Sequence, residues 1–286
     1  MMTGRAFRTV DVFTRTPFSG NPVAVILDGA GLSTGAMQAI ANWTNLSETT
    51  FVLPPADGAA DYSLRIFTPR AELPFAGHPT IGSAFAVLET GMVTPRDGKI
   101  VQHCAKGLID ILVPDDWQAA GLSFAMPPAK LTAAPEAELL IAALGGGQIA
   151  PPMVVDVGPR WVVMAMEDGG VVEHVRPDFA ALADYDRRHR TTGLTIFGTT
   201  RDGIDTQIVR SFAPADGINE DPVCGSGNGA VAAYRQHHGA VAPGHQYVAA
   251  QGMSVGRNGR VTIRITHDAI FVGGQAVTCA TGTIFA

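Results

Sequence analysis

The chain repeats itself. Arg65-Ile66-Phe67-Thr68-Pro69, leading into Phe75-Ala76-Gly77-His78-Pro79-Thr80-Ile81-Gly82, is answered by Arg210-Ser211-Phe212-Ala213-Pro214, leading into Asp221-Pro222-Val223-Cys224-Gly225-Ser226-Gly227-Asn228-Gly229. Small residues follow both runs: Ser83, Ala84 and Ala86 in the first half, Ala230, Ala232 and Ala233 in the second. A chain of 286 residues is longer than one hydrophobic core usually organises, so the duplication constrains it to two similar lobes. Each glycine-led run opens a helix, where unsatisfied N–H groups and the positive dipole end attract negative charge. The expectation is two helix starts facing each other across a pseudo-twofold cleft, around one small anionic ligand.

Composition narrows the function classes. Hydrophobic residues make up 46% of the chain, without an apolar stretch long enough to cross a bilayer, and the start Met1-Met2-Thr3-Gly4-Arg5-Ala6 lacks a signal segment. A soluble, cytoplasmic protein without a membrane partner is expected. The net charge is −6, and the one basic cluster, Arg187-Arg188-His189-Arg190, reads as a solvated helix end, so nucleic acid is not an expected partner. Cys104, Cys224 and Cys279 are odd in number and widely spaced, which argues against a disulfide framework. The eight histidines show no spacing suited to a metal site.

Periodicity and punctuation place the elements. Strands are expected over residues 7–13 and 23–27, either side of a turn at 17–22, then a helix over 34–42 capped by Ser33. Strands over 50–53 and 62–67 follow, separated by a loop carrying Pro54, Asp57 and Gly58, and then a helix over 78–90 ending at Gly91. Strands over 100–104, 108–113 and 122–125 precede a Pro- and Ala-rich stretch, 127–135, taken as the boundary between lobes 1–128 and 129–286, with the C-terminal strand free to return to the first lobe. In the second lobe Gly158-Pro159 precedes a strand over 161–166 as Gly20-Asn21-Pro22 precedes its own, and a helix covers 178–188. Leu194-Thr195-Ile196-Phe197 stands in the place of Glu48-Thr49-Thr50-Phe51. A second central helix over 225–238 and strands over 247–251, 261–265, 270–277 and 283–285 complete the chain. The fold class is α/β (α+β): two pseudo-symmetric lobes, each a curved mixed sheet wrapped around a central helix.

Chemistry should sit where the repeats differ, because duplicated structural residues match while a catalytic group is needed once. Glu48 puts a carboxyl at the start of an apolar strand; burial would raise its pKa toward neutrality and let it donate and accept a proton, whereas exposure would leave it a solvated loop residue or cap. His78, after Gly77 at a helix start, reads either as a hydrogen-bonding or proton-shuttling imidazole or as the end of a turn. Asp221 reads as a group that orients a substrate ammonium or the histidine, or as an Asp-Pro turn residue. The Gly225-Ser226-Gly227 turn lacks the third fingerprint glycine of a dinucleotide site and the Lys of a P-loop, and suits a carboxylate. Cys224 beside it is a possible secondary base or a buried thiol.

Taken together, Ser47-Glu48-Thr49-Thr50-Phe51, Phe75-Ala76-Gly77-His78-Pro79-Thr80 and Glu220-Asp221-Pro222-Val223-Cys224-Gly225-Ser226, with the opening Val10-Asp11-Val12-Phe13 and Phe18-Ser19-Gly20-Asn21-Pro22, closely resemble the phenazine-biosynthesis PhzF-like isomerase family. The resemblance implies the diaminopimelate-epimerase-like fold, a homodimer, and no cofactor or metal. It implies that Glu48 is the proton-moving acid/base, that His78 and Asp221 hold and polarise substrate, and that Gly77, Gly225 and Ser226 form the carboxylate-binding turn. In the named isomerase a dihydro-hydroxyanthranilate loses a proton from one ring carbon and regains one at another, giving an enol that becomes a ketone. Two departures stand out. Ala76 replaces one of the paired cysteines of epimerases of this fold while Cys224 is kept, and Gly227-Asn228-Gly229 follows the epimerase side of the superfamily. The expected function is a cofactor-independent isomerase moving a proton within a small carboxylate substrate. The alternatives are a Cys224-based epimerase or dehydratase and a catalytically silent binding protein of the same fold.

Overall fold

In this computed structural model residues 3–55, 58–200 and 206–286 are described; part of the expected loop at 54–58 and the first two residues lie outside them. The chain divides into two compact units, residues 1–124 with 273–286, and residues 125–272. The first unit runs β1 (Gly4–Val12), β2 (Asn21–Ile26), α1 (Thr34–Thr44), β3 (Glu48–Leu53), β4 (Tyr62–Phe67), β5 (Glu72–Leu73), α2 (Gly77–Glu89), β6 (Lys99–Cys104), β7 (Gly107–Leu112), α3 (Trp117–Ala120) and β8 (Leu122–Ala125). The second runs β9 (Lys130–Ala133), α4 (Ala137–Leu144), β10 (Met153–Asp156), β11 (Arg160–Ala165), α5 (Gly169–His174), α6 (Phe179–His189), β12 (Gly193–Thr199), β13 (Thr206–Ala213), β14 (Ile218–Asp221), α7 (Gly225–His237), β15 (Gln246–Gln251), β16 (Gly259–Ile265) and β17 (Ile270–Gly274). A last strand, β18 (Ala276–Phe285), follows.

Both sheets have the same connectivity. β1 and β2 are antiparallel, β2 and β3 parallel, β3 and β4 antiparallel, β4 and β6 parallel, and β6 and β7 antiparallel. In the second unit β10, β11, β12, β13, β15 and β16 repeat that series of senses. The outer partner of the first hairpin is also repeated, because β18 pairs antiparallel with β1 as β9 pairs with β10. The strand expected over 270–277 breaks at Gln275, whose carbonyl accepts the N–H groups of Phe13 and Thr14 and so starts β18 against the first unit. Within the stretch 127–135, read as a boundary for its prolines and alanines, four residues form β9; the pairing with β10 outweighs local composition.

Burial explains each central helix. All residues of α2 from His78 to Leu88 are buried, so it presents no polar face to water and the sheet must wrap it. In α7, Gly227 to Arg235 are buried in the same way. α1 is amphipathic instead and packs Met37 and Ala41 with Ile26, Phe51 and Phe67, so it covers the sheet from another side. Its start follows from Ser33, whose Oγ accepts the Ala36 N–H at 3.2 Å. In the second unit Leu182 and Tyr185 of α6 join Val162, Met164, Leu194, Ile196 and Phe212 in the main core.

The approach of α2 to its sheet is limited by one residue. A Cβ on Gly82 would collide with Val23 Cγ1 and lie 2.9 Å from Val12 Cγ2. Replacing glycine by alanine inside a helix should stabilise by about 1 kcal/mol from propensity alone, whereas overpacking costs about 1–3 kcal/mol. Gly82→Ala is therefore expected to lower stability, read as a lower urea midpoint with an unchanged denaturant slope.

Candidate active site

In the first unit the site is built where β3 begins and α2 begins. Glu48 is the first residue of β3, fixed by its pairing with Val23 on β2, and Gly77 and His78 open α2. His78 Nε2 stands 3.3 Å from Glu48 Oε2, and only 8% of the imidazole and 13% of the carboxyl side chain are exposed. Glu48 is thus neither a solvated loop residue nor a cap. Desolvation raises its pKa from 4.5 to about 7, opposed by a hydrogen bond from Ser47. Ser47 Oγ also lies 3.4 Å from Asn21 Oδ1, a second acceptor for the same hydroxyl proton.

The surrounding polar groups hold the two elements in register. Thr50 Oγ1 on β3 and Ser83 Oγ on α2 share a hydrogen bond of 2.8 Å. On the far side Tyr62 donates its hydroxyl to Gln102 Oε1 at 3.0 Å, and Gln102 Nε2 donates to Thr80 Oγ1 at 3.1 Å. Every one of these side chains is buried, so each hydrogen bond removes a cost that an unpaired group would impose. The first turn of α2, and the imidazole on it, is held by its own sheet.

In the second unit the polar turn precedes α7. Asp221 Oδ1 accepts the Val223 N–H at 3.0 Å, the hydrogen bond of an Asp-Pro turn. Cys224 is the N-cap of α7, and its Sγ accepts the Gly227 N–H at 3.2 Å. Its backbone N–H and the Asn228 amide both donate to Gln251 Oε1, and Gln251 Nε2 donates to the Asp221 carbonyl. Burial, followed by the charge of Asp221, raises the Cys224 pKa well above 9, which leaves a thiol at neutral pH. Cys224 is thus a buried thiol that caps α7. Gly225 and Ser226 form the helix start, and Ser226 Oγ accepts the indole N–H of Trp161 at 3.0 Å.

The sheet registers correct one detail of the repeat. Val23 pairs with Glu48 and Trp161 with Gly193; Phe67 pairs with Thr49 and Phe212 with Leu194. Glu48 is therefore answered by Gly193 rather than by Leu194 or Thr195, because aligning Phe51 with Phe197 shifts the strand by one residue. In that register Trp161 answers Val23, and aligning the helix starts at Gly77 and Gly225 makes Ser226 the counterpart of His78. A Cβ on Gly193 would lie 2.8 Å from Trp161 Cζ3 and would collide with the Phe212 carbonyl. The second unit thus has no carboxyl at the position of Glu48, and an indole from the neighbouring strand, at the position of Val23, bonds the Ser226 hydroxyl instead. Trp161 escaped the motif search because no motif contains it; the signal was strand register.

Among the described residues no three His, Cys, Asp or Glu side chains form a group suited to a metal ion, and no helix is long and apolar enough to cross a membrane.

The raised Glu48 pKa has a measurable consequence. Because the folded-state value, about 7, exceeds 4.5, the unfolded chain loses this proton first, so its contribution to stability is complete below pH 4.5 and lost as pH rises to about 7. Glu48→Gln is expected to abolish this part of the slope and to be more stable than the parent above pH 7 by on the order of 3 kcal/mol. Urea midpoints from pH 4.5 to 8 would measure it.

The chain is similar to known proteins over nearly its whole length. The family model described as phenazine biosynthesis-like protein, PhzC-PhzF, matches residues 10–282. Antisense-enhancing sequence 1 of Schizosaccharomyces pombe is 41% identical, over 99% of this chain and 100% of that one. Trans-2,3-dihydro-3-hydroxyanthranilate isomerase of Pseudomonas aeruginosa is 35% identical, over 96% of this chain and 98% of its own. A Bacillus anthracis phenazine biosynthesis protein of the PhzF family superposes with a TM-score of 0.87 at 23% identity, with 100% of both chains covered. A hydroxyproline epimerase from Agrobacterium vitis gives 0.69 at 15% identity, covering 99% of this chain and 92% of its own, which relates the fold to that of epimerases. The chain belongs to the phenazine biosynthesis-like, PhzC-PhzF, family of isomerases.

Proposed function

We propose that this protein moves a proton within a small carboxylate-bearing substrate, with Glu48 as the general acid/base. The observation that carries the proposal is the enclosed Glu48–His78 pair, in which a carboxyl of pKa about 7 sits 3.3 Å from an imidazole. Such a carboxyl is matched to accept a proton and to return it near neutral pH. The family relationship supports the same chemistry, and the substrate for which the Pseudomonas relative is named, trans-2,3-dihydro-3-hydroxyanthranilate, is the first to try.

In the proposed reaction the Glu48 carboxylate takes a proton from one ring carbon, and the electron pair of the broken C–H bond enters the ring system. The neutral carboxylic acid then gives the proton to a different carbon. The resulting enol becomes a ketone, so nothing is gained or lost overall. His78 hydrogen-bonds the reacting part of the substrate, and Asp221 holds a polar group of it. The N–H groups of the turn at Gly225 and Ser226, with Gly77, are the proposed carboxylate donors, since a helix start favours negative charge. The proposal includes a homodimer and needs no cofactor. A one-base epimerase using Cys224 is the weaker reading, because its buried thiol already caps α7.

Incubation of trans-2,3-dihydro-3-hydroxyanthranilate in D2O should give ketone product carrying solvent deuterium. Glu48→Gln is expected to reduce kcat about 10²- to 10⁴-fold and to abolish deuterium uptake, while Cys224→Ala retains both. In the parent enzyme kcat/KM should fall as pH drops below about 7. Uptake that survives Glu48→Gln and disappears in Cys224→Ala would reverse the assignment. Carboxylate binding with no exchange in the parent would indicate a binding protein.

A further inference from the structure

Strand register matches Trp161 to Val23, the helix starts match Ser226 to His78, and the contact between Trp161 and Ser226 is directional. The indole N–H is a donor and has no acceptor lone pair, so at 3.0 Å the Ser226 oxygen must be the acceptor. One lone pair of that hydroxyl is thereby occupied. Cys224 Sγ lies 3.5 Å from the same oxygen, in a contact where either atom can be the donor, and that sulfur already accepts the Gly227 N–H. The hydroxyl proton is left for this sulfur or for a ligand, and of the two a carboxylate is the stronger acceptor. We propose that Trp161 is a positioning residue that holds Ser226 as a hydrogen-bond donor to the substrate carboxylate.

The indole is well suited to this task. Trp161 is 3% exposed and lies against Gly193, whose missing side chain makes room for the ring. Its position is set by β11 on both sides, since Trp161 pairs with Val155 on β10 and Gly193 on β12. A donor held this rigidly loses little entropy on binding an anion. The pair is also neutral, so it adds donors to a helix start whose dipole end is positive, which selects against an ammonium group. The inference rests on the proposed role of the Gly225-Ser226 turn in carboxylate binding.

Anthranilate and anthranilamide, which differ in a carboxylate against a neutral amide, provide the probes. By titration calorimetry the parent protein should prefer anthranilate. Trp161→Phe, which keeps an aromatic ring but removes the N–H, is expected to weaken anthranilate binding about five-fold and leave anthranilamide unchanged. Ser226→Ala should do the same, and Trp161→Phe should have no added effect in the Ser226→Ala background. A melting temperature near that of the parent shows that each variant is folded. As a measurement on unmutated protein, the Trp161 indole N–H resonance, identified with Trp43→Phe and Trp117→Phe proteins, should shift with anthranilate and not with anthranilamide. A parent protein without preference for anthranilate would overturn the carboxylate reading of the turn and this inference with it. A preference that survives Trp161→Phe, additive losses in the double variant, or an indole resonance indifferent to anthranilate would overturn the role of Trp161 alone.

Discussion

A helix enclosed by its own sheet has no solvent to receive its side chains, and that constraint governs both units. It demands small residues where helix and strands approach, as Gly82 shows against Val12 and Val23. It also favours polar groups on the helix that can find a partner inside. In the first unit Gln102 bridges Tyr62 to Thr80, and in the second Gln251 bridges Asn228 to the Asp221 carbonyl. The same enclosure desolvates whatever sits at the first turn, and so Glu48, beside His78, is held near neutrality in pKa. Chemistry and folding thus draw on one source, the exclusion of water around α2.

The duplication shows which interactions are architectural. Asp11 Oδ2 accepts the Gly20 N–H in the first hairpin and Asp156 Oδ1 accepts the Gly158 N–H in its counterpart. Arg65 forks onto Glu72 and lies over Phe67; Arg210 forks onto Glu220 and lies over Phe212. The two forks differ in setting. Arg210 is buried and also donates to the carbonyls of Val172 and Val175, so removing its partner would strand a charge, whereas the Arg65 pair is partly exposed and worth less. Against this shared frame the two units differ around one helix start: Glu48 and Val23 beside His78 in the first are answered by Gly193 and Trp161 beside Ser226 in the second.

Much of this was legible in the chain. Apolar alternation and turn residues put β4 over residues 62–67 and β8 over 122–125, and Ser33, Asp178 and Gly91 marked helix ends in place. Short elements such as β5, β9, β10, α3, α4 and α5 were not legible, because two to eight residues carry too little periodicity and form only against a partner strand or core. The break at Gln275 was hidden for the same reason: residues 270–277 are continuously strand-like, and only the pairing of β18 with β1 divides them.

The sequence by itself determined the duplication, the two central helices and the candidate residues Glu48, Gly77, His78, Asp221, Cys224, Gly225 and Ser226, because repeats, caps and glycine-led turns are local signals. Tertiary structure decided what those residues can do. Whether Glu48 is a solvated acid or a proton carrier depends on burial, and burial is a property of how β3 lies beside α2. Trp161 came into view only through strand register, since an indole on β11 meets a hydroxyl on α7 across 65 positions of chain.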